Sequence, residues 1–318
     1  MIARRSPPDI RALLLPEMQA ALTESERRQA DAPPARGERV ADARAAYGHE
    51  RRFWNAAPAA VHEARDLTIA TAAGPVGARL YRATPGAAAG LTLYLHGGGY
   101  VLGGLDTHDR IMRLLAQASG QPVLGLDYAL SPEHRFPRAL EQIDAVLDAL
   151  PGLDLAPGRI VLAGDSAGAH LSLGAALARP DPRLAGLLLY YGAFGLTDGA
   201  SRRLHGGALD GLGPEDLAFY RDSYLARPED RHDLRYDCLA AELGGLPPCF
   251  IGAVDLDPLR DDSLALAEGL RLAGVPHRLR TYHGVLHGFL HYSRMLPLAA
   301  AALAEGGGFV AERLGALR

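Results

Sequence analysis

From residue 61 onward, short apolar runs alternate with amphipathic stretches along the chain. "VHEARDLTIAT" (61–71) and "VGARLYRAT" (76–84) interleave apolar and polar residues around "AAGP", which predicts two antiparallel strands. "LTLYLHGG" (91–98) is instead mostly apolar until it runs into a glycine loop, the pattern of a strand buried on both faces. Beyond it the pattern predicts a helix over 107–119, a strand over 122–127, a helix over 137–149, a strand over 159–164, a helix over 167–178 and a strand over 185–191. The same rhythm resumes with a strand at 248–254, a helix at 261–272, a strand at 277–282 and a last helix at 295–314. Repeated βα units with continuously apolar strands predict an α/β fold, a mostly parallel central sheet flanked by helices.

Two stretches depart from this rhythm. Residues 1–57 are polar and helical, broken by "DAPPARG" at 31–37, with Val40, Ala43, Ala46 and Tyr47 forming an apolar stripe and Phe53 and Trp54 near its end. Residues 195–245 carry Gly, Arg and Asp and one helical piece near 214–226. The organisation expected is therefore a core in two parts, 58–194 and 246–318, with 1–57 and 195–245 forming a helical cap over the carboxyl edge of the sheet.

Composition narrows the chemistry. The chain has 318 residues, 48% of them hydrophobic, and a net charge of −4, which suits one large α/β domain and gives no reason to expect nucleic acid as a partner. Every basic residue other than histidine is arginine. The absence of lysine excludes Schiff-base lysines, P-loop lysines and Ser–Lys dyads. Cys238 and Cys249 lack metal spacing and read as reduced, structural thiols. The apolar run after Arg11 is stopped by Pro16 and Glu17, too short for a secretory signal, and no segment has the roughly 18 apolar residues of a membrane span. The expected location is the cytoplasm, with no membrane partner.

"LAGDSAGAHL" (162–171) places Ser166 on the turn between the strand ending near 164 and the helix starting at 167. A serine there occupies a sharp strand-to-helix turn, and Gly164 and Gly168 allow neighbouring backbones to approach where a Cβ would not fit. That is the G-x-S-x-G nucleophile elbow. "LHGGGYVLGG" (95–104) follows its own strand, so Gly97, Gly98 and Gly99 can turn backbone N–H groups inward as oxyanion donors, joined by the N–H of Ala167. A phosphate loop is disfavoured by the lack of G-x-G-x-x-G or G-K-S/T patterns. The chain order for this machinery is Ser, then an acid, then His. Asp257 lies in "DLDPLRDD" after one strand, and His287 in "GVLHGF" after the next; Asp255, His283 and His291 compete for the two roles. A metal site built on His287 and His291 is disfavoured because Gly288 interrupts the helix it would need. Asp261 and Asp262 read as carboxylates of a helix's first turn.

These motifs resemble the α/β-hydrolase esterases related to hormone-sensitive lipase, the bacterial family IV, and within it the acetyl esterases. The resemblance rests on HGGG at 96–99, "DYALSPEHRFP" at 127–137, GDSAG at 164–168, "DPLRDDS" at 257–263 and "LHGFLHYSRM" at 286–295, with "LDTHDRIMRLLA" (105–116) and "PPCFI" (247–251) adding to it. It covers the chain from about 90 to the end. It implies an α/β-hydrolase fold, a triad of Ser166, Asp257 and His287, an oxyanion hole of Gly98, Gly99 and Ala167, and no metal or organic cofactor. Where the wider family has Arg in D-Y-R-L-A-P-E, this chain has Ala129, and the acetyl-esterase branch also lacks that arginine. Glu133 is expected to be a buried structural carboxylate, and His96 a loop support. The implied activity is hydrolysis of short-chain acyl esters, with a small-molecule ester as substrate. Other acyl substrates (an amide, a lactone, a sugar or drug ester) and a hydrolase fold that binds a ligand or regulator are the alternatives. A homodimer and a regulatory protein contact are left open as partners.

Overall fold

The computed structural model describes residues 9–315 except 33, 87, 154, 156, 208 and 210. The opening residues 1–8, part of the expected cap, thus lie outside the described residues. Eight strands form one sheet: β1 (Glu63–Ile69), β2 (Val76–Arg82), β3 (Leu91–Leu95), β4 (Val123–Asp127), β5 (Ile160–Asp165), β6 (Leu184–Tyr190), β7 (Cys249–Val254) and β8 (His277–Tyr282). Their spatial order is β1-β2-β4-β3-β5-β6-β7-β8. β2 runs antiparallel to both β1 and β4, and β3 to β8 are mutually parallel. The strands and the alternation expected from the sequence are all present.

The continuous apolar runs are explained by a core on each face. Along β5, Ile160 and Leu162 point into one core, and Val161 and Ala163 into the other; along β6, Leu187 and Leu189 part from Leu188 and Tyr190 in the same way. Successive side chains of a strand leave opposite faces, so a strand covered on both sides needs apolar residues at every position. The first face is covered by α5 (Arg138–Ala149), α6 (Ala167–Ala178) and α9 (Arg260–Leu272), the second by α4 (Asp109–Ser119) and α10 (Pro297–Leu314). Helix α6 is buried from Ala167 through Ala176 and accordingly is apolar apart from His170 and Ser172, which bond to the carbonyls of Tyr236 and Gly168.

The N-terminal helices α1 (Ile10–Leu13), α2 (Pro16–Ala30) and α3 (Arg39–Asn55) pack on the second face, where Met18, Leu22 and Trp54 join its core. Arg44 of α3 reaches the 127–137 loop: it donates to the carbonyls of Val101 and Ser131 and pairs through two nitrogens with Glu133. Glu133 is therefore structural but exposed, which corrects the expectation of a buried carboxylate. Its partner comes from 89 residues earlier in the chain, a contact no local pattern announces. The segment between β6 and β7 contains α7 (Ala200–His205) and α8 (Pro214–Tyr224). It is pinned at its start by buried Asp262, which accepts from the N–H groups of Phe194, Gly195 and Leu196 and pairs with Arg202. Asp262 does stand in the first turn of α9, as expected, but its work is to hold this excursion.

Candidate active site

Ser166 sits between β5 and α6 at φ 53°, ψ −122°, a conformation that L residues rarely adopt. The turn is sharp enough that a Cβ on Gly164 would lie 2.4 Å from the backbone of Gly168, and one on Gly168 only 1.9 Å from the carbonyl oxygen of Leu95. Both glycines are thus required by close approach of β3, β5 and α6. The Ser166 N–H donates to the carbonyl of Tyr190, and its own carbonyl accepts from the His170 N–H.

The loops after β7 and β8 bring two further residues to this point. His287 Nε2 lies 2.9 Å from Ser166 Oγ, and His287 Nδ1 lies 2.7 Å from Asp257 Oδ2. A carboxylate only accepts, so Nδ1 carries the proton and Nε2 presents its lone pair to the serine hydroxyl. Asp257 is completely buried, and its other oxygen accepts from the Leu259 N–H at 2.7 Å. Tyr191 packs its ring edge-on against the His287 imidazole, centroids 4.8 Å apart. The competitors fall elsewhere. Asp255 holds the Gly284 N–H and exposed His283, while His291 is buried in the turn Phe289–Tyr292, separated from His287 by Gly288 at φ 72°. The structure brings Ser166, Asp257 and His287 together and leaves Asp255 and His283 outside the hydrogen-bonded chain.

The glycine loop 97–99 faces the serine from the end of β3. Gly97 donates its N–H to Asp165 Oδ1 at 3.1 Å, which commits it to the loop's own fixation. Gly98 and Gly99 have φ of 123° and 59°, and a Cβ on Gly98 would lie 2.3 Å from the Leu102 carbonyl oxygen. Gly98, Gly99 and Ala167, the first residue of α6, line the same cavity as Ser166. His96 supports the loop from beneath: its Nδ1 contacts the Gly97 carbonyl at 2.8 Å and its ring stacks on Tyr128. Burial, reinforced by neighbouring His108, pushes its pKa down to about 3, so it stays neutral.

Around these groups opens a cavity of about 1390 Å³, lined by Leu22, Tyr47, Leu212, Tyr220, Leu286 and Tyr292 among others. Of Phe53, Trp54, Phe194, Phe219 and Tyr220, only Tyr220 lines it. Its ring is so close to Gly99 that a Cβ there would lie 2.3 Å from the ring carbon Cδ1. Trp54 is instead buried and donates to Glu50, Phe53 stacks beneath Arg28 and Arg294, Phe194 is buried in the first core, and Phe219 lies under Arg39.

Sequence reasoning missed two buried carboxylates, Asp165 and Glu50. Asp165 accepts from the Tyr94 hydroxyl at 2.7 Å as well as from Gly97, and its carboxylate lies 3.5 Å from His108 Nε2. Burial pushes the Asp165 carboxyl up, but His108, Tyr94 and Gly97 outweigh it and hold the group below the ordinary carboxylate value. Glu50, likewise buried, collects the Ser25 hydroxyl, the Trp54 indole and Arg51. The acidic residue directly before the serine was the available signal for the first cluster.

Over residues 92–291, more than half of its length, the chain matches the family described as the alpha/beta hydrolase fold, and it belongs to that family. Among solved structures it is similar to a hyperthermophilic esterase from the archaeon Pyrobaculum calidifontis, with 30% identity, a TM-score of 0.81 and coverage of 86% of this chain and 93% of that one. A thermophilic and thermostable carboxylesterase cloned from a metagenomic library matches at 30% identity and TM-score 0.83, covering 86% and 97%. An ester-hydrolase from the metagenome of Lake Arreo, solved with a bipyridine phosphonate derivative, matches at 29% identity and TM-score 0.86, covering 95% and 100%. Among the described residues no helix is long and apolar enough to cross a membrane.

Proposed function

We propose that this protein is a serine carboxylesterase that hydrolyses short-chain acyl esters, acetyl to butyryl, through an acyl-enzyme. The observation that carries the reading is the unbroken chain from Asp257 through His287 to Ser166 Oγ, at 2.7 and 2.9 Å. Ser166 Oγ attacks the ester carbonyl as His287 Nε2 takes its proton, and Asp257 stabilises the imidazolium that forms. The oxyanion is met by the N–H groups of Gly98, Gly99 and Ala167, each donor lowering the barrier by ~3–4 kcal/mol. Collapse expels the alcohol with the proton from His287. Water, deprotonated in turn by His287, then releases the acid from Ser166.

The similarity to proteins described as esterases, a carboxylesterase and an ester-hydrolase supports the reaction class. Helices α1–α3 and the segment 195–245 act as the cap: Leu22 and Tyr47 from the first, and Leu212 and Tyr220 from the second, line the cavity that holds Ser166. The short-chain limit rests on the resemblance to acetyl esterases and is supported by the Tyr220 ring against Gly99, beside the oxyanion donors. Each acyl methylene buried in apolar surroundings gains about 0.8 kcal/mol until the wall is met. One methylene too many in a packed wall then costs ~1–3 kcal/mol.

The test is kcat/KM for p-nitrophenyl esters from acetate to dodecanoate. A maximum is expected at about two to four acyl carbons, with a steep fall by about eight, as packing sets the limit. A maximum at ten or more carbons would overturn the short-chain limit, and no hydrolysis of any ester would overturn the reaction class.

A further inference from the structure

Behind the nucleophile lies a second cluster for which the proposed hydrolysis has no use. His108 (at the N-terminal end of α4), Asp165 (before the nucleophile) and His291 (in the turn Phe289–Tyr292) are all buried, and their nearest donor atoms lie within 4.8 Å of one another. On one side of its ring, His108 Nδ1 lies 2.8 Å from the Thr107 hydroxyl, which also donates to the Gly104 carbonyl at 2.9 Å. On the other, His108 Nε2, buried and without a hydrogen-bond partner, lies 3.5 Å from Asp165 Oδ1. A buried ring nitrogen left without a partner beside a buried carboxylate is a place where a cation satisfies both. His291 offers a second imidazole. It lies ring to ring with His108 at 4.6 Å, and the contact of its Nε2 with the Tyr47 hydroxyl, at 3.4 Å, is long.

We propose that His108, Asp165 and His291 form a binding site for a divalent transition-metal ion of the zinc type, reached through the substrate cavity. Two imidazoles and one carboxylate are the ligand set that borderline cations prefer over magnesium or calcium. Zinc–nitrogen and zinc–oxygen bonds of ~2.0–2.1 Å give a tetrahedral edge of about 3.4 Å, which the 3.5 Å His108–Asp165 separation already matches. The remaining edges close by side-chain rotation of about 1 Å, toward the same bond lengths. Asp165, His291 and Tyr47 line the cavity that contains Ser166, so the ion has a route in and the fourth position opens toward substrate. Binding stands independently of the hydrolase reading. On that reading it also inhibits: a dication beside His287 opposes formation of the imidazolium, and Asp165 is drawn from the Gly97 N–H that it holds.

Equilibrium dialysis with zinc chloride, on the wild-type protein and on H108Q, H291Q and H287Q variants, tests the site. One ion per chain is expected to bind wild type and H287Q, with affinity reduced at least 100-fold in H108Q and H291Q. In parallel, cobalt(II) added to the wild-type protein should give the intense visible bands of a tetrahedral centre, a readout that needs no variant to fold. Saturable zinc binding lost only in H287Q would place the ion on the proposed base and overturn the proposal. So would unchanged binding in H108Q and H291Q, or an octahedral cobalt spectrum in the wild type. If zinc binds as expected while ester hydrolysis continues unaffected, the site stands and the inhibitory consequence fails.

Discussion

Replacing Asp257 by asparagine removes a charge without changing shape, and the hydrogen bonds around this residue set the size of the loss. Both carboxylate oxygens are committed, Oδ1 to the Leu259 N–H and Oδ2 to His287 Nδ1, in a residue with no solvent exposure. An amide can serve only one of them as acceptor. With its oxygen toward Leu259, the NH2 group faces Nδ1, which must then give up its proton; the proton moves to Nε2, against Ser166 Oγ, and the base is lost. With its oxygen toward His287, the NH2 group meets the Leu259 N–H, two buried donors facing each other, at a cost of ~1–3 kcal/mol. The first arrangement therefore dominates, and the minority in the second has lost the anion that stabilises the imidazolium. Together these predict a fall in kcat of about 10⁴, or ~5.4 kcal/mol in the barrier. Initial rates on p-nitrophenyl acetate, with circular dichroism and Tm to show that the fold is intact, measure it. Asp255→Asn is the control: its carboxylate serves Gly284 and His283, so activity should stay within about tenfold, as for a surface change. A folded Asp257→Asn enzyme with more than a tenth of wild-type kcat, or an equal loss in Asp255→Asn, would refute the reasoning.

Tyr220→Ala should shift the kcat/KM optimum of the p-nitrophenyl series toward longer acyl chains, because it removes the ring against Gly99; an unchanged profile would move the limiting wall elsewhere. Stability should fall with acidification. Burial holds His96 at about 3 and His170 at about 4, and burial, then Arg51 and His108, hold His291 well below its ordinary value, so below pH ~6.5 the unfolded chain binds protons that the folded chain refuses. Their contribution is complete above that pH and is lost as pH falls toward 4 to 3; a Tm flat from pH 7 to 4.5 would contradict it. Because these three histidines stay neutral, the acid limb of kcat/KM should track one proton, on His287, and a limb steeper than one proton would show a second group at work.

The features legible in the sequence and those hidden from it divide along physical lines. Strands β3 to β7 were legible because both faces are buried along most of their length, so nearly every position is apolar; the serine elbow and the glycine loop were legible because close backbone approach and positive φ restrict those positions to glycine. Asp257 and His287 could be placed because chain order and loop position constrain them, although Asp255 and His283 satisfied the same local criteria and only the fold separated them. Which aromatic residues face the cavity could not be read, since that depends on how α3 and α8 are rotated against the core. Arg44 with Glu133, and Asp262 with Phe194–Leu196, were likewise illegible: each joins residues more than 60 apart. Glu133 was misread as buried because its partner lies on another segment. His108 and Asp165 each sit in a quoted motif, and only the fold shows that they face each other.

The central claim is that acyl transfer passes through Ser166 Oγ. Rapid mixing of the enzyme with p-nitrophenyl acetate, acid quenching and peptide mass spectrometry test it directly. The predicted result is a single acetyl group on the peptide carrying Ser166, formed with a stoichiometric burst of p-nitrophenol and absent in Ser166→Ala. An acetyl group on another residue, or steady hydrolysis retained by Ser166→Ala, would contradict it.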